Sequence, residues 1–128
     1  MVSKDEVLQV EHKGRISVVS FKCSEIDMDE NGIFYEELKD LVRKKRIFIL
    51  VDFSKISYIS SLVIATLISG LKNTKAQGGN FKLCSLSGKI SQTLEVIQLD
   101  KIMEVFKTQD EALTSGNWDK KEGSIEFK

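Results

Sequence analysis

At 128 residues the chain is long enough to bury one core and too short for two domains. With 41% hydrophobic and 30% charged residues it has a globular composition. Lys plus Arg and Asp plus Glu number 19 each, a formal net charge of +0, which excludes the basic field of a general nucleic-acid binder. A membrane helix needs roughly 20 apolar residues, and the longest stretch, Leu62 to Leu71, is broken by Thr66, Ser69 and Gly70. Met1 to Glu6 has no apolar core of the kind a signal peptide uses, so the expected setting is the cytoplasm, with Cys23 and Cys84 as buried thiols. Proline is absent, and neither a linker nor a repeat divides the chain.

Val7 to Val10 and Ile16 to Phe21 read as two strands, the second richer in β-branched residues. His12-Lys13-Gly14-Arg15 between them predicts a hairpin turn, and places the only histidine in it. From Ile26 to Arg46 the period changes. Ile33, Phe34, Leu38, Leu41 and Val42 recur as on one face of a helix, with Asp27, Asp29 and Asn31 as candidate caps. Arg43-Lys44-Lys45-Arg46 suits the carboxyl end of that helix, and Glu36-Glu37 its solvated face.

Ile47 to Val51 is a short unbroken apolar run ended by Asp52, the pattern of a strand buried on both faces. A polar-punctuated connection to Ser60 leads into a helix over Ser61 to Ala76, with Ile64, Leu67, Ile68 and Leu71 as its buried stripe. Gln77-Gly78-Gly79-Asn80 stops it with a left-handed cap. Phe81 to Leu86 is a further strand, Ser91 to Leu99 a helix, Ile102 to Phe106 a last strand, and Thr108 to Leu113 a closing helix. The order β-β-α-β-α-β-α-β-α requires crossovers, hence a mixed or largely parallel sheet of about five strands covered by about four helices, within residues 1–116. Residues 117–128, with Trp118 among several charges, are left as a tail whose packing is open.

No known cofactor loop, HExxH or nucleophile elbow occurs. One histidine makes most metal sites unfavourable, and a hydrolase built on Ser61 would have to recruit distant His12 as its base. Neither catalysis, a cofactor nor a metal is expected.

The segment from Leu50 to Ile64 resembles the signature of STAS domains, in particular bacterial anti-sigma factor antagonists. In that pattern a buried strand ends in Asp, then an apolar or aromatic pair precedes Asp-Ser-[Ser/Thr]-Gly-Leu at the start of a helix. Gly78-Gly79-Asn80-Phe81-Lys82-Leu83, Gln98 to Phe106 and Asp110-Glu111-Ala112-Leu113 extend the likeness from about Val7 to Leu113. The central motif departs from the family's. Ser60 stands for its Asp, Ser61 matches its first Ser, Leu62 replaces the phosphorylated hydroxyl residue and Val63 replaces the Gly.

The resemblance implies a partner, an anti-sigma factor with serine kinase activity, bound through Ser57, Tyr58, Ile59, Ser60, Ser61, Leu62 and Val63. Charge balance and the lack of a long apolar run leave no nucleic acid and no membrane expected, and a homodimer stays open. Leucine cannot accept phosphate, so the phosphorylation candidates are Ser60 and Ser61; otherwise the module works without the switch. Either serine suits a helix N-cap, where free N–H groups favour anions. The alternative is therefore a ligand-sensing or scaffold STAS module that binds a nucleotide or another anion there.

Overall fold

The computed structural model describes residues 2–116 and Trp118. In chain order it has α1 (Lys4–Val7), β1 (Leu8–Lys13), β2 (Ile16–Phe21), β3 (Glu25–Ile26) and α2 (Met28–Arg43). There follow β4 (Phe48–Asp52), β5 (Tyr58–Ile59), α3 (Ser61–Ala76), β6 (Asn80–Cys84) and α4 (Gly88–Val96). A 3-10 turn (Leu99–Lys101), β7 (Val105–Phe106) and α5 (Gln109–Thr114) complete it. The main sheet has the order β1-β2-β4-β6-β7, and β3 pairs with β5 in a separate two-stranded ribbon. Only β1 runs antiparallel within the main sheet. The expected mixed sheet of five strands is present, and the additional helix is the single turn α1.

Local chemistry explains where the boundaries moved. The adjacent pair Val7-Leu8, which spoiled the alternation of the first strand, is divided between α1 and β1. β1 runs on through Lys13, so His12 lies on a strand rather than in the turn, its Nδ1 2.9 Å from Ser17 Oγ. The turn itself is Gly14-Arg15, with Gly14 at φ +62. Asp27 starts α2 with a capping box: its carboxylate takes the Met28 N–H, and Glu30 Oε1 takes the Asp27 N–H at 2.9 Å. Lys45, at φ 65, ends that helix.

Among the four cations after Leu41, Arg43 and Lys44 pair with Asp40, whereas Arg46 reaches back to Ser17 Oγ (2.9 Å) and the Gly14 carbonyl (3.0 Å). Arg46 thus ties the hairpin to the helix end instead of answering the dipole. Glu37 is another correction. It is buried and paired with Lys4 Nζ at 2.6 Å, not solvated.

Further along, Ser85 at φ 64 stops β6 at Cys84, short of Leu86. Ser87 Oγ accepts from the Ile90 N–H, so α4 begins at Gly88 and ends before Gln98, whose φ of 61 starts the 3-10 turn. β7 keeps only the two residues that pair with Leu83 and Cys84.

Strand alternation divides the core into two. Val19, Phe21, Ile49, Val51, Phe81 and Leu83 face α2, α3 and α4, meeting Phe34, Leu38, Leu41, Val63, Leu67, Leu71, Ile90 and Leu94. Ile16, Val18, Leu50 and Cys84 point the other way and are covered by Ala112 of α5 and by Trp118. This double covering is why β4 is apolar without alternation. Trp118, in the segment left open as a tail, packs into this second core; residue 117 and residues 119–128 lie outside the described residues. Among the described residues, no helix is long and apolar enough to cross a membrane.

Cys84 is wholly buried, whereas Cys23 is only partly so. Burial, reinforced by the carboxylate of Asp52, pushes the Cys84 thiol up from 9.0 to about 12. The folded protein keeps this proton where the unfolded chain has lost it, so the associated stability is whole below pH 9 and declines above it. Between pH 8 and 10.5 the loss from this group is expected to reach about 2 kcal/mol. Urea titrations of the wild type and Cys84→Ala at both pH values should show the smaller alkaline decline in the variant.

Candidate functional site

The junction begins where β4 ends. Asp52 is buried there, and its two oxygens are used structurally: Oδ1 accepts the Ser54 N–H and Oδ2 the Gln109 side-chain amide, each at 2.8 Å. Phe53 and Ile56 are buried anchors on either side of an exposed Ser54-Lys55 tip. The chain is then stitched to the segment after β2. The Ser57 N–H donates to the Ser24 carbonyl at 2.7 Å, and the Ser57 hydroxyl donates to the same oxygen at 3.2 Å. Glu25 pairs with Tyr58 and Ile26 with Ile59, and the Ser60 N–H donates to the Ile26 carbonyl at 3.0 Å. These backbone bonds, absent from any local sequence pattern, hold residues 57–60 in one conformation before α3 begins.

The expected contact residues part company at this point. Tyr58 is 43% exposed and Leu62 46%, large apolar fractions for side chains on an ordered segment. Ser57 and Ser61 are exposed too, while Ile59 and Ser60 are half-buried. Val63 is fully buried and belongs to the core, so it offers no docking surface. The helix is turned one position from the expected stripe: Val63, Thr66, Leu67, Gly70, Leu71 and Thr74 face inward, and Ile64 and Ile68 sit at the border. Gly70 lies under the Phe81 ring, and Thr66 Oγ1 donates to Asn31 Oδ1 of α2 at 2.8 Å. Those two contacts set the rotation of α3.

Ser60 occupies the N-cap position without capping. Its hydroxyl bonds to no helix N–H and is buried with no hydrogen-bond partner among the described residues. α3 also has no acid in its first turn. By contrast α2, α4 and α5 are capped by Asp27, Ser87 and Thr108. The positive end of the α3 dipole is therefore left without a side-chain acceptor.

Met28, 68% exposed in the first turn of α2 just after β3, is a surface apolar residue the sequence reading passed over. The available signal was its place directly behind the Asp27 cap and off the buried stripe. Among the described residues no three His, Cys, Asp or Glu side chains gather as a metal would need.

A sheet of mainly parallel strands, with a rigid loop entering the amino end of a helix and exposing Tyr58, Ser61 and Leu62, defines a small α/β module with an ordered surface junction. The chain belongs to the STAS domain family, whose model matches residues 7–112. A protein of Thermotoga neapolitana, named as the homologue of a candidate anti-sigma factor antagonist, is 31% identical over 65 residues, covering 51% of this chain and 58% of that protein. The match thus spans little more than half of that relative's length. A Thermotoga maritima protein with the corresponding name is 25% identical over 99 residues, 75% of this chain and 86% of that one.

Two solved structures share the fold. The crystal structure of a candidate anti-sigma factor antagonist of Thermotoga maritima has a TM-score of 0.78 at 21% identity, covering 83% of this chain and 91% of that one. The Bacillus cell fate determinant SpoIIAA, in a phosphorylated form, has a TM-score of 0.69 at 18% identity, covering 83% and 96%.

Proposed function

We propose that this chain is an anti-sigma factor antagonist-like regulator that docks an anti-sigma factor with serine kinase activity through Ser57 to Leu62, in a cytoplasmic setting and without catalysis of its own. The observation that supports this reading is the exposed pair Tyr58 and Leu62 on a backbone-locked junction. Leu62 stands where the family resemblance expects a phosphorylated hydroxyl. An apolar side chain there binds a partner by burial and offers no phosphate acceptor, so the contact is constitutive at that position. Of the two serine candidates, Ser61 has the solvent-facing hydroxyl; that of Ser60 must first rotate out of its buried position.

The test incubates the protein with the purified anti-sigma kinase encoded nearest to it, with and without ATP. Calorimetry and intact mass then follow binding and modification. Binding with unchanged mass is the expected result. Phosphate on Ser61 with loss of binding would restore the switch at a neighbouring position, and no binding in either condition would overturn the proposed partner.

The uncapped start of α3 supports a second reading, in which the same junction senses an anion or nucleotide. A rise in melting temperature with phosphate or a nucleotide, absent at equal ionic strength of chloride, would favour it. Sedimentation of the free protein distinguishes a homodimer from a monomer.

A further inference from the structure

Lys82 lies in the middle of β6, between Phe81 and Leu83 of the inner core, so its side chain points to the outer face of the sheet. There it is 0% exposed. Its ammonium stands 4.6 Å from the Trp118 ring centroid and 5.4 Å from that of Phe106, and donates to Ser115 Oγ at 3.1 Å. Glu104 is 3.6 Å away, and half of that carboxylate's surface is in water. Trp118 itself is buried and donates from Nε1 to the Ala112 carbonyl at 2.8 Å. A wholly buried ammonium with one loosely held counter-ion is costly, and two ring faces and a hydroxyl repay that cost only in part. Burial accordingly holds its pKa below the ordinary value, against the opposing pull of Glu104.

We propose that Ser115 and Trp118 act as a reversible strap over Lys82, which opens without unfolding the domain and turns this amine into a solvent-facing cation on the outer face of the sheet. The strap crosses the smaller of the two cores, where α5 and Trp118 meet the sheet through Ala112, Leu113, Phe106 and Cys84. Closing it strips water from Lys82; opening it returns that hydration. The inner core, on the opposite face, is untouched by either event. The strap is therefore a local element of low stability on a domain of higher stability. Its opening would expose Lys82 and the Phe106 ring together.

Two measurements test the strap. First, the native protein is acylated with a dilute amine reagent and followed peptide by peptide in a mass spectrometer, with exposed Lys55 as the internal standard. Lys82 in the wild type is expected to react about a hundredfold more slowly than Lys55, at a rate that little urea dependence accompanies, since local opening exposes little surface. Trp118→Ala is expected to raise the Lys82 rate at least about tenfold while Lys55 is unchanged and the far-UV spectrum is retained. Second, the single tryptophan reports the strap in the unmodified protein. Its emission is expected to shift to the red at lower urea than the loss of helical signal. Coincident transitions, or a Lys82 rate with the full urea dependence of global unfolding, would overturn the proposal; so would a folded Trp118→Ala protein in which Lys82 stays unreactive.

Discussion

Leu62→Glu is expected to weaken partner binding by at least about thirtyfold, roughly 2 kcal/mol, while leaving stability within about 0.5 kcal/mol of the wild type. The side chain is nearly half exposed and is not among the buried residues of the core, so folding has little to lose. A carboxylate in the first turn of α3, which has no acid of its own, is favourable to the helix. The damage is therefore confined to the complex, where a charge must be desolvated against a surface that received leucine.

Calorimetry against the anti-sigma kinase, with urea melts of the free proteins, separates the two effects. Leu62→Ser is the informative companion. It puts back a hydroxyl where the family resemblance expects one, and ATP is then expected to add one phosphate in the presence of the kinase. Equal binding by wild type and Leu62→Glu would remove the junction from the interface.

Gly79→Ala is expected to cost roughly 3 kcal/mol or more, against about 1 kcal/mol for Gly78→Ala. Gly79 is buried between α3 and β6, and a methyl group there would overlap the carbonyl oxygen of Ile47. That oxygen cannot move away cheaply, because it accepts the Asn80 N–H at 2.9 Å at the start of β6. Gly78 has open space around it, and its need is conformational, φ +86, which an L-residue adopts at modest cost. Urea denaturation of the two variants side by side checks the order. A reversal would mean that the Ile47 to Asn80 pairing can shift without loss.

Much of the architecture was legible because short-range physics dictates it. The Ile47 to Val51 run required a strand covered on both faces, Gly14 and Gly78 marked reversals, and the Asp27 cap opened α2. The family pattern likewise pointed to a junction from Ser57 to Val63, of which Val63 is buried.

The rotation of α3 was not legible. Leu62, Val63, Ile64, Leu67, Ile68 and Leu71 make that helix apolar over too wide an arc for periodicity to choose a face. Tertiary contacts chose instead, through the Gly70–Phe81 packing and the Thr66–Asn31 bond, and they sent Val63 inward and Leu62 outward. Nor was the burial of Lys82 legible: Phe81 to Leu86 reads simply as a strand, and the structure turns Lys82 to the face opposite Phe81 and Leu83. The strand pattern carried no sign that α5 and Trp118 close over that face.

Residue periodicity, turn chemistry and a contiguous motif were thus enough for the five strands of the main sheet, the four longer helices between and after them, and the loop-to-helix junction, but not for α1 or the β3–β5 ribbon. Which side chains of the junction meet water, and that Lys82 is buried, depend instead on elements distant in sequence packing against one another.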